Sequence, residues 1–436
     1  MIFLLAALSI AFLPLSSALA PPTQCQWDTL NFFCGGFCSP TIDDNTISAD
    51  ILSSIPWTHQ PFCVDALSNT EARKLCVYSV DTFNENTGFS LIATPGTAAH
   101  LVSTGAVHHG PATWRSRHFI NYGGRPASDN TDLAYKINQV VGKGIGVVAT
   151  RLIKTSDVFM VSFPAMIVDN SLIPSLFNEG SSPTAEGPRL FQRALDQLTD
   201  RERLTSLAKS WGAKNLHVVD DVIRTNAFGL EIDGRGHKGL FPEIARMNHG
   251  CDPKKAHLPL ISASIRYDER TLGMIARATR DIKPGEEIQI SYIPLGLPQA
   301  SRARALRNWG FECTCSLCTA PPADREASDS RRARLGEIRR TFGAMTAGEV
   351  RLTYNEFRAL SHEIVSIAER ERLTTMMVEI NQELTRMWYQ AGVYDEAVRY
   401  ARTAVKSAKA YSDTRTEFFQ GLRRNLIILE GLAAEA

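Results

Sequence analysis

Apolar positions along the chain recur with two different periods. In the C-terminal part, Met377, Ile380, Leu384, Met387 and Ala391 fall on one face of a helix, Gly392 interrupts, and Tyr394, Ala397, Tyr400, Ala401 and Ala404 begin a second stripe. This spacing predicts an antiparallel helix pair within an all-helical tail over 321–436, entered through a linker marked by Pro321-Pro322 and Arg331-Arg-Ala-Arg334. Between Lys143 and Asp169 the pattern differs: short β-branched and apolar runs broken by Gly, Lys and Pro164 predict strands. A Gly/Ser/Pro-rich loop covers 178–188, after which Leu190, Leu195, Leu198, Leu204 and Leu207 return to near-helical spacing, a helical insert expected to end near Gly212.

The chain opens on an apolar run from Met1 to Leu13 leading into Ser16-Ser-Ala18-Leu-Ala20. That length suits a signal-peptide core and is too short to span a bilayer. Cleavage after Ala18 is expected, making residues 1–18 a signal peptide and placing the protein outside the cell or in the endomembrane lumen. The alternative is an uncut N-terminal helix in a cytoplasmic protein. Residues 19–130 form a cysteine-containing N-terminal region with Cys25, Cys34, Cys38, Cys63 and Cys76, the pattern of a disulfide-stapled segment with one thiol left over. A tight loop with buried thiols at Cys34-Gly-Gly-Phe-Cys38 is the competing reading, and the chain has no Asn-x-Ser/Thr sequon. Phe89-Ser-Leu-Ile-Ala-Thr-Pro95 echoes Gly146-Val-Val-Ala-Thr-Arg151 and suggests an internal repeat, and the polar stretch Ser128 to Asp132 is a domain junction.

At 436 residues and 44% hydrophobic content the chain can bury a large core divided among two or three domains. A formal net charge of +1 gives no strong signal for nucleic acid or for an anionic membrane surface.

The densest chemistry lies between Phe241 and Cys318. Asn248-His249-Gly250-Cys251 forms a turn, and Cys313-x-Cys315-x-x-Cys318 places three thiols too close in sequence to pair well among themselves. They are well spaced to share one tetrahedral Zn²⁺, with Cys251 as the fourth ligand.

Read in order, Gly142-Lys143-Gly144-Ile145-Gly146, then Asn248-His249-x-Cys251-x-Pro253, then Arg280-Asp-Ile-x-Pro-Gly-Glu-Glu-Ile288 with Tyr292, then Gly310-Phe311-x-Cys313-x-Cys315-x-x-Cys318, the chain resembles the SET domain of protein lysine methyltransferases with its post-SET zinc segment. Within that family it is most similar to the SET-and-MYND type, without the MYND module. The resemblance implies an α+β architecture: a β-rich SET fold over 131–320 with a helical insert at about 170–225 and a post-SET zinc segment at about 309–320, followed by a helical tail like a tetratricopeptide unit. It implies S-adenosylmethionine and Zn²⁺ as cofactors and a lysine side chain of a protein substrate as methyl acceptor. Tyr292 matches the catalytic tyrosine. Lys143, Gly144, Ile145, Asn226, Asn248, His249 and Phe311 match positions that contact the cofactor, and Trp309 stands where many relatives place a second tyrosine facing the lysine channel. Two function classes follow: an S-adenosylmethionine-dependent lysine N-methyltransferase, or a secreted or endomembrane SET-like binding module that has lost transfer, since the cofactor is cytosolic and the leader points out of the cytosol.

Overall fold

The computed structural model describes residues 56–67, 72–119, 133–173, 186–208, 217–251, 261–409, 414 and 417–435. The expected signal peptide, Cys25, Cys34, Cys38, Gly212 and the Ser128 junction lie outside these residues. No helix among the described residues is long and apolar enough to cross a membrane.

A six-stranded sheet forms the centre. It contains β1 (Phe62–Leu67), β2 (Ala72–Val80), β3 (Phe89–Ala93), β7 (Met166–Asp169), β8 (Ala227–Ile232) and β9 (Arg235–Leu240), in the order β1-β2-β3-β7-β9-β8. Its inner strands β2, β3 and β7 carry apolar residues on both faces because both faces are covered. Leu75, Val77, Ile92, Met166 and Val168 point into one core, while Cys76, Tyr78, Leu91, Ala93 and Ile167 point into the other, the period-2 alternation of a strand. The first core is closed by the insert helices α3 (Glu186–Asp196), α4 (Arg201–Thr205) and α5 (Val218–Asn226), through Leu190, Leu195, Leu198, Leu204 and Leu207, all buried. Against the second lie α1 (Pro95–Ser103), α2 (Ala106–Phe119) and the two smaller sheets.

Three expectations change here. The N-terminal region is not a separate body: β3 pairs in parallel with β7, so residues on either side of position 130 share one sheet. The suggested repeat is absent, because Phe89–Ala93 is an inner strand followed by an N-capped helix, whereas Gly144–Ala149 sits in a different sheet and is followed by a turn. Finally, the supposed linker at Arg331–Arg334 is the interior of α7 (Pro322–Thr346), which begins with proline at its first turn, where the missing N–H is harmless. Arg331 and Arg332 clamp the buried carboxylate of Glu371 at 2.6 and 2.8 Å.

Cys63 and Cys76 are opposite residues of β1 and β2 and form a disulfide. The second sheet, β10-β13-β5-β4, contains β4 (Tyr135–Val140), β5 (Gly144–Ala149), β10 (Asn248–His249) and β13 (Glu287–Ile290); the third, β11-β12-β6, contains β6 (Val158–Ser162), β11 (Ala263–Asp268) and β12 (Gly273–Ala278). After α6 (Gln299–Leu306) and α7, the tail adds α8 (Tyr354–Arg370), α9 (Thr374–Gln390), α10 (Tyr394–Lys409) and α11 (Glu417–Glu435). Gly392, at φ +72°, turns α9 back into α10, and Met377, Ile380, Leu384, Met387, Ala397, Tyr400 and Ala401 fill their shared core. Leu295 packs into that core and the Arg266 guanidinium sits 5.5 Å from the Phe418 ring, so the tail is joined to the β-rich part from both ends.

Candidate active site

The second sheet brings three distant sequence motifs side by side. β5 carries the glycine-rich entry, β13 follows the Gly-Glu-Glu turn and leads to Tyr292, and β10 is the Asn248-His249 pair itself. β13 lies between the others: Glu287 and Ile288 oppose Val148 and Val147, while Gln289 and Ile290 are partners of Asn248 and His249.

At this seam the Glu287 carboxylate is a hub. Its Oε2 accepts from Lys143 Nζ at 2.6 Å and from Gln289 Nε2 at 2.9 Å, and its Oε1 accepts from Asn248 Nδ2 at 2.9 Å. Asn248 Nδ2 also donates to the Ile145 carbonyl at 3.3 Å. Both partners are pure acceptors, which fixes the amide's orientation and leaves Oδ1 directed elsewhere. Gly146 must lack a side chain, because a Cβ there would lie 2.8 Å from Asn248 Nδ2. Lys143 is thus tied by its ammonium, and the backbone of the Lys143–Ile145 turn, with the exposed Ile145 side chain, is left to meet a ligand.

Tyr292, two residues past β13, donates its hydroxyl to the Met247 carbonyl at 2.6 Å. Burial and then the nearby Glu287 charge push its phenol above the ordinary range, so it remains a neutral donor. Trp309 stacks 5.5 Å from it, tilted by 36°, and its Nε1–H donates to the Thr225 carbonyl at 3.0 Å. The indole is therefore pinned to the end of α5 and walls a cleft of about 300 Å³ that Tyr292, Asn226, Phe228, Ile265 and Lys238 also line. Asn226 lines this cleft too, and its amide nitrogen, bonded to the Leu207 carbonyl and to Thr225 Oγ1, braces the α5–β8 corner.

His249 is held through both ring nitrogens. Its Nδ1 accepts from the Tyr292 backbone N–H at 3.1 Å, so the proton sits on Nε2, which lies 3.2 Å from Cys251 Sγ. Both nitrogens are engaged, the ring is buried, and burial pushes its pKa down to about 4. A ring held this way has no nitrogen left over for a cofactor, so contact through the backbone is the route that stays open to His249. The ring couples the tyrosine to the thiol cluster, as second-layer partners of metal sites do.

Cys251, Cys313, Cys315 and Cys318 place their sulfurs within 4.8 Å of one another. Cys251 Sγ is 3.7 Å from both Cys313 Sγ and Cys318 Sγ. Four sulfurs at about 2.3 Å from a tetrahedral zinc would be about 3.8 Å apart, so the donor set and its spacing suit Zn²⁺. The buried Arg302 brings Nη2 to 3.8 Å from Cys318 Sγ, a cation placed to offset the negative charge of four thiolates. Phe311, two residues before Cys313, is 37% exposed and stands 6.1 Å from the His249 ring.

Residues 144–293 match the SET domain family. The chain carries a SET domain. Over 229 residues it is 30% identical to N-lysine methyltransferase SMYD2-B of Danio rerio, covering 48% of this chain and 50% of that protein. SMYD2 of Homo sapiens is 29% identical over 209 residues, 44% of this chain and 46% of its own length. Histone-lysine N-methyltransferase set5 of Schizosaccharomyces pombe is 30% identical over 181 residues, 41% and 53% of the two chains. The chain thus spans about half the length of the curated relatives it matches, and these relatives support the SET-and-MYND relationship. Among solved structures, the SET domain of LSMT bound to lysine and AdoHcy aligns with 74% of this chain and 90% of its own at 12% identity and a TM-score of 0.26, a likeness too loose to place any residue.

Of the site residues expected from sequence, Lys143, Gly144, Ile145 and Asn248 meet along the β5-β13-β10 seam, and Trp309 and Phe311 stand against the Tyr292 ring beside it. Glu287 was missed. The signal that would have found it is its place in β13, between the two motif strands.

Proposed function

We propose that this protein is an S-adenosylmethionine-dependent protein lysine N-methyltransferase whose transfer site lies between the Lys143–Ile145 turn, Asn248, Tyr292 and Trp309. The observation that carries this reading is the seam itself: one sheet joins the glycine-rich entry, the Asn248 amide and the strand leading to Tyr292 through the single Glu287 carboxylate. The residues present suit the cofactor. Asn248 Oδ1 faces away from its internal bonds as an acceptor for an amino group, the Gly144 backbone has open space beside it, and the exposed Phe311 ring offers a stacking face.

When bound, S-adenosylmethionine supplies a methyl group on a sulfonium, so the protein's part is chiefly positioning. Tyr292 and Trp309 wall the approach, and their packing favours an uncharged amine, because burial disfavours ammonium. Tyr292 keeps its proton and its hydroxyl is fixed by Met247, which sets the ring's position at the cleft. The relatives named as N-lysine methyltransferases support a lysine acceptor.

The test is incubation of the full chain with S-adenosylmethionine and a library of lysine-containing peptides, read by mass spectrometry. Methyl groups confined to lysine are expected; none on any peptide would count against transfer. Glu287→Gln should leave the fold intact yet weaken cofactor binding about tenfold, since an amide nitrogen must then face one of three donors, a loss near 1.5 kcal/mol. Calorimetry on both proteins measures it, and unchanged affinity would remove Glu287 from the site.

The Cys63–Cys76 disulfide favours a second reading, a secreted SET-like module in an oxidising compartment. N-terminal sequencing of protein from its native host should then begin within a few residues of Leu19. Intact Met1 on cytosolic protein would reverse that placement.

A further inference from the structure

The cleft beside Tyr292 and Trp309 has apolar walls, Phe228 and Ile265 among them, and holds two cations, Arg224 and Lys238; among the described residues no aspartate or glutamate lines it. That sign is unfavourable for drawing in a bare lysine ammonium, since like charges repel. Lys238 on β9 is the direct partner of Gly229 on β8. An atom at the Cβ position of Gly229 would lie 3.8 Å from Lys238 Nζ, so the glycine leaves that flank of the ammonium open. Burial alone lowers the Lys238 pKa, with no neighbouring carboxylate offsetting it among the described residues. Arg224 leaves its Nε without a hydrogen-bond partner, although Asp220, one turn earlier on α5, is a charged neighbour. A half-buried cation without a counterion in an apolar-walled cleft favours an anion from outside.

We propose that Lys238, with Arg224 on the same wall, docks an acidic side chain of the substrate, so that the preferred acceptor is a lysine flanked by aspartate or glutamate and not one in a basic tail. This rests on the methyltransferase reading and names its substrate class. The same two cations would disfavour the protonated form of the acceptor amine and so favour the nucleophile.

Binding can be separated from transfer by replacing the target lysine with norleucine and measuring fluorescence anisotropy of labelled peptides on the full chain. A glutamate-flanked peptide should bind about tenfold more tightly than its glutamine-flanked counterpart, the size of one charge-assisted contact. Lys238→Met should abolish the preference while leaving the glutamine peptide unaffected, and Lys238→Arg should restore it. Arg224→Gln, which should weaken the preference, serves if the Met variant does not fold. Equal affinities, tighter binding of basic peptides, or a preference surviving in folded Lys238→Met would each overturn the proposal. Cofactor calorimetry on the same protein keeps the two ideas apart: charge-selective peptide binding without cofactor binding would retain the docking site and discard methyl transfer.

Discussion

Cys315→Ser should strip the protein of zinc and unfold the corner that carries Asn248 and Tyr292. Parent protein is expected to hold about one zinc per chain, the number set by one tetrahedral four-sulfur site. The sulfurs come from two segments more than 60 residues apart, Cys251 Sγ being 62 positions from Cys313, and the metal would tie them together beside the ring contact of His249 with Phe311. A structural zinc contributes about 10–16 kcal/mol of apparent binding energy, against a total stability of about 5–15 kcal/mol for a typical domain. Loss of one ligand is therefore comparable to the whole margin. His249 would transmit the damage, since it bonds Cys251 with one nitrogen and the Tyr292 backbone with the other. Metal analysis and thermal melts with and without chelator measure the effect. A metal-free parent, or a disulfide among the four cysteines found by mass spectrometry, would contradict it.

Tyr292→Phe should lower turnover by on the order of 10²-fold or more while cofactor affinity stays nearly unchanged, as expected when a positioning group is lost. The ring's contacts with Trp309, His249 and Phe311 survive the change. What disappears is the hydroxyl and its bond to the Met247 carbonyl, so a stability loss of about 1 kcal/mol should accompany it. Asn248→Ala should do the opposite, weakening cofactor binding, because it opens the bond to the Ile145 carbonyl and removes one of the donors to Glu287. If Tyr292→Phe transfers methyl groups as fast as the parent, Tyr292 is not the positioning residue.

The thiol cluster was legible in the sequence because metal-ligand spacing is a local property of Cys313, Cys315 and Cys318, and only Cys251 had to be brought from afar. Helical stripes such as Met377 to Met387 were legible for the same reason. Topology was not. Nothing local tells that β3 pairs in parallel with β7 across more than 70 residues, 90 with 166, or that two similar strand sequences at 89–93 and 144–149 belong to different sheets. Glu287 illustrates the limit: in sequence it is one of two acids after a turn, and its role exists only because β13 lies between β5 and β10. The ring of His249 shows the same limit, since its partners are a backbone N–H 43 positions away and a thiol two positions on, and only geometry shows that both nitrogens are taken.

Isothermal titration of S-adenosylmethionine into the purified full chain tests the methyltransferase reading most directly. The seam at Asn248, Glu287 and the Gly144 turn predicts saturable binding at one site, weakened by Asn248→Ala and by Glu287→Gln and little affected by Tyr292→Phe. A folded, zinc-loaded parent that gives no binding heat at cofactor concentrations of about 1 mM, the weak end of the useful affinity range, would contradict the account and leave the SET-like binding module in its place.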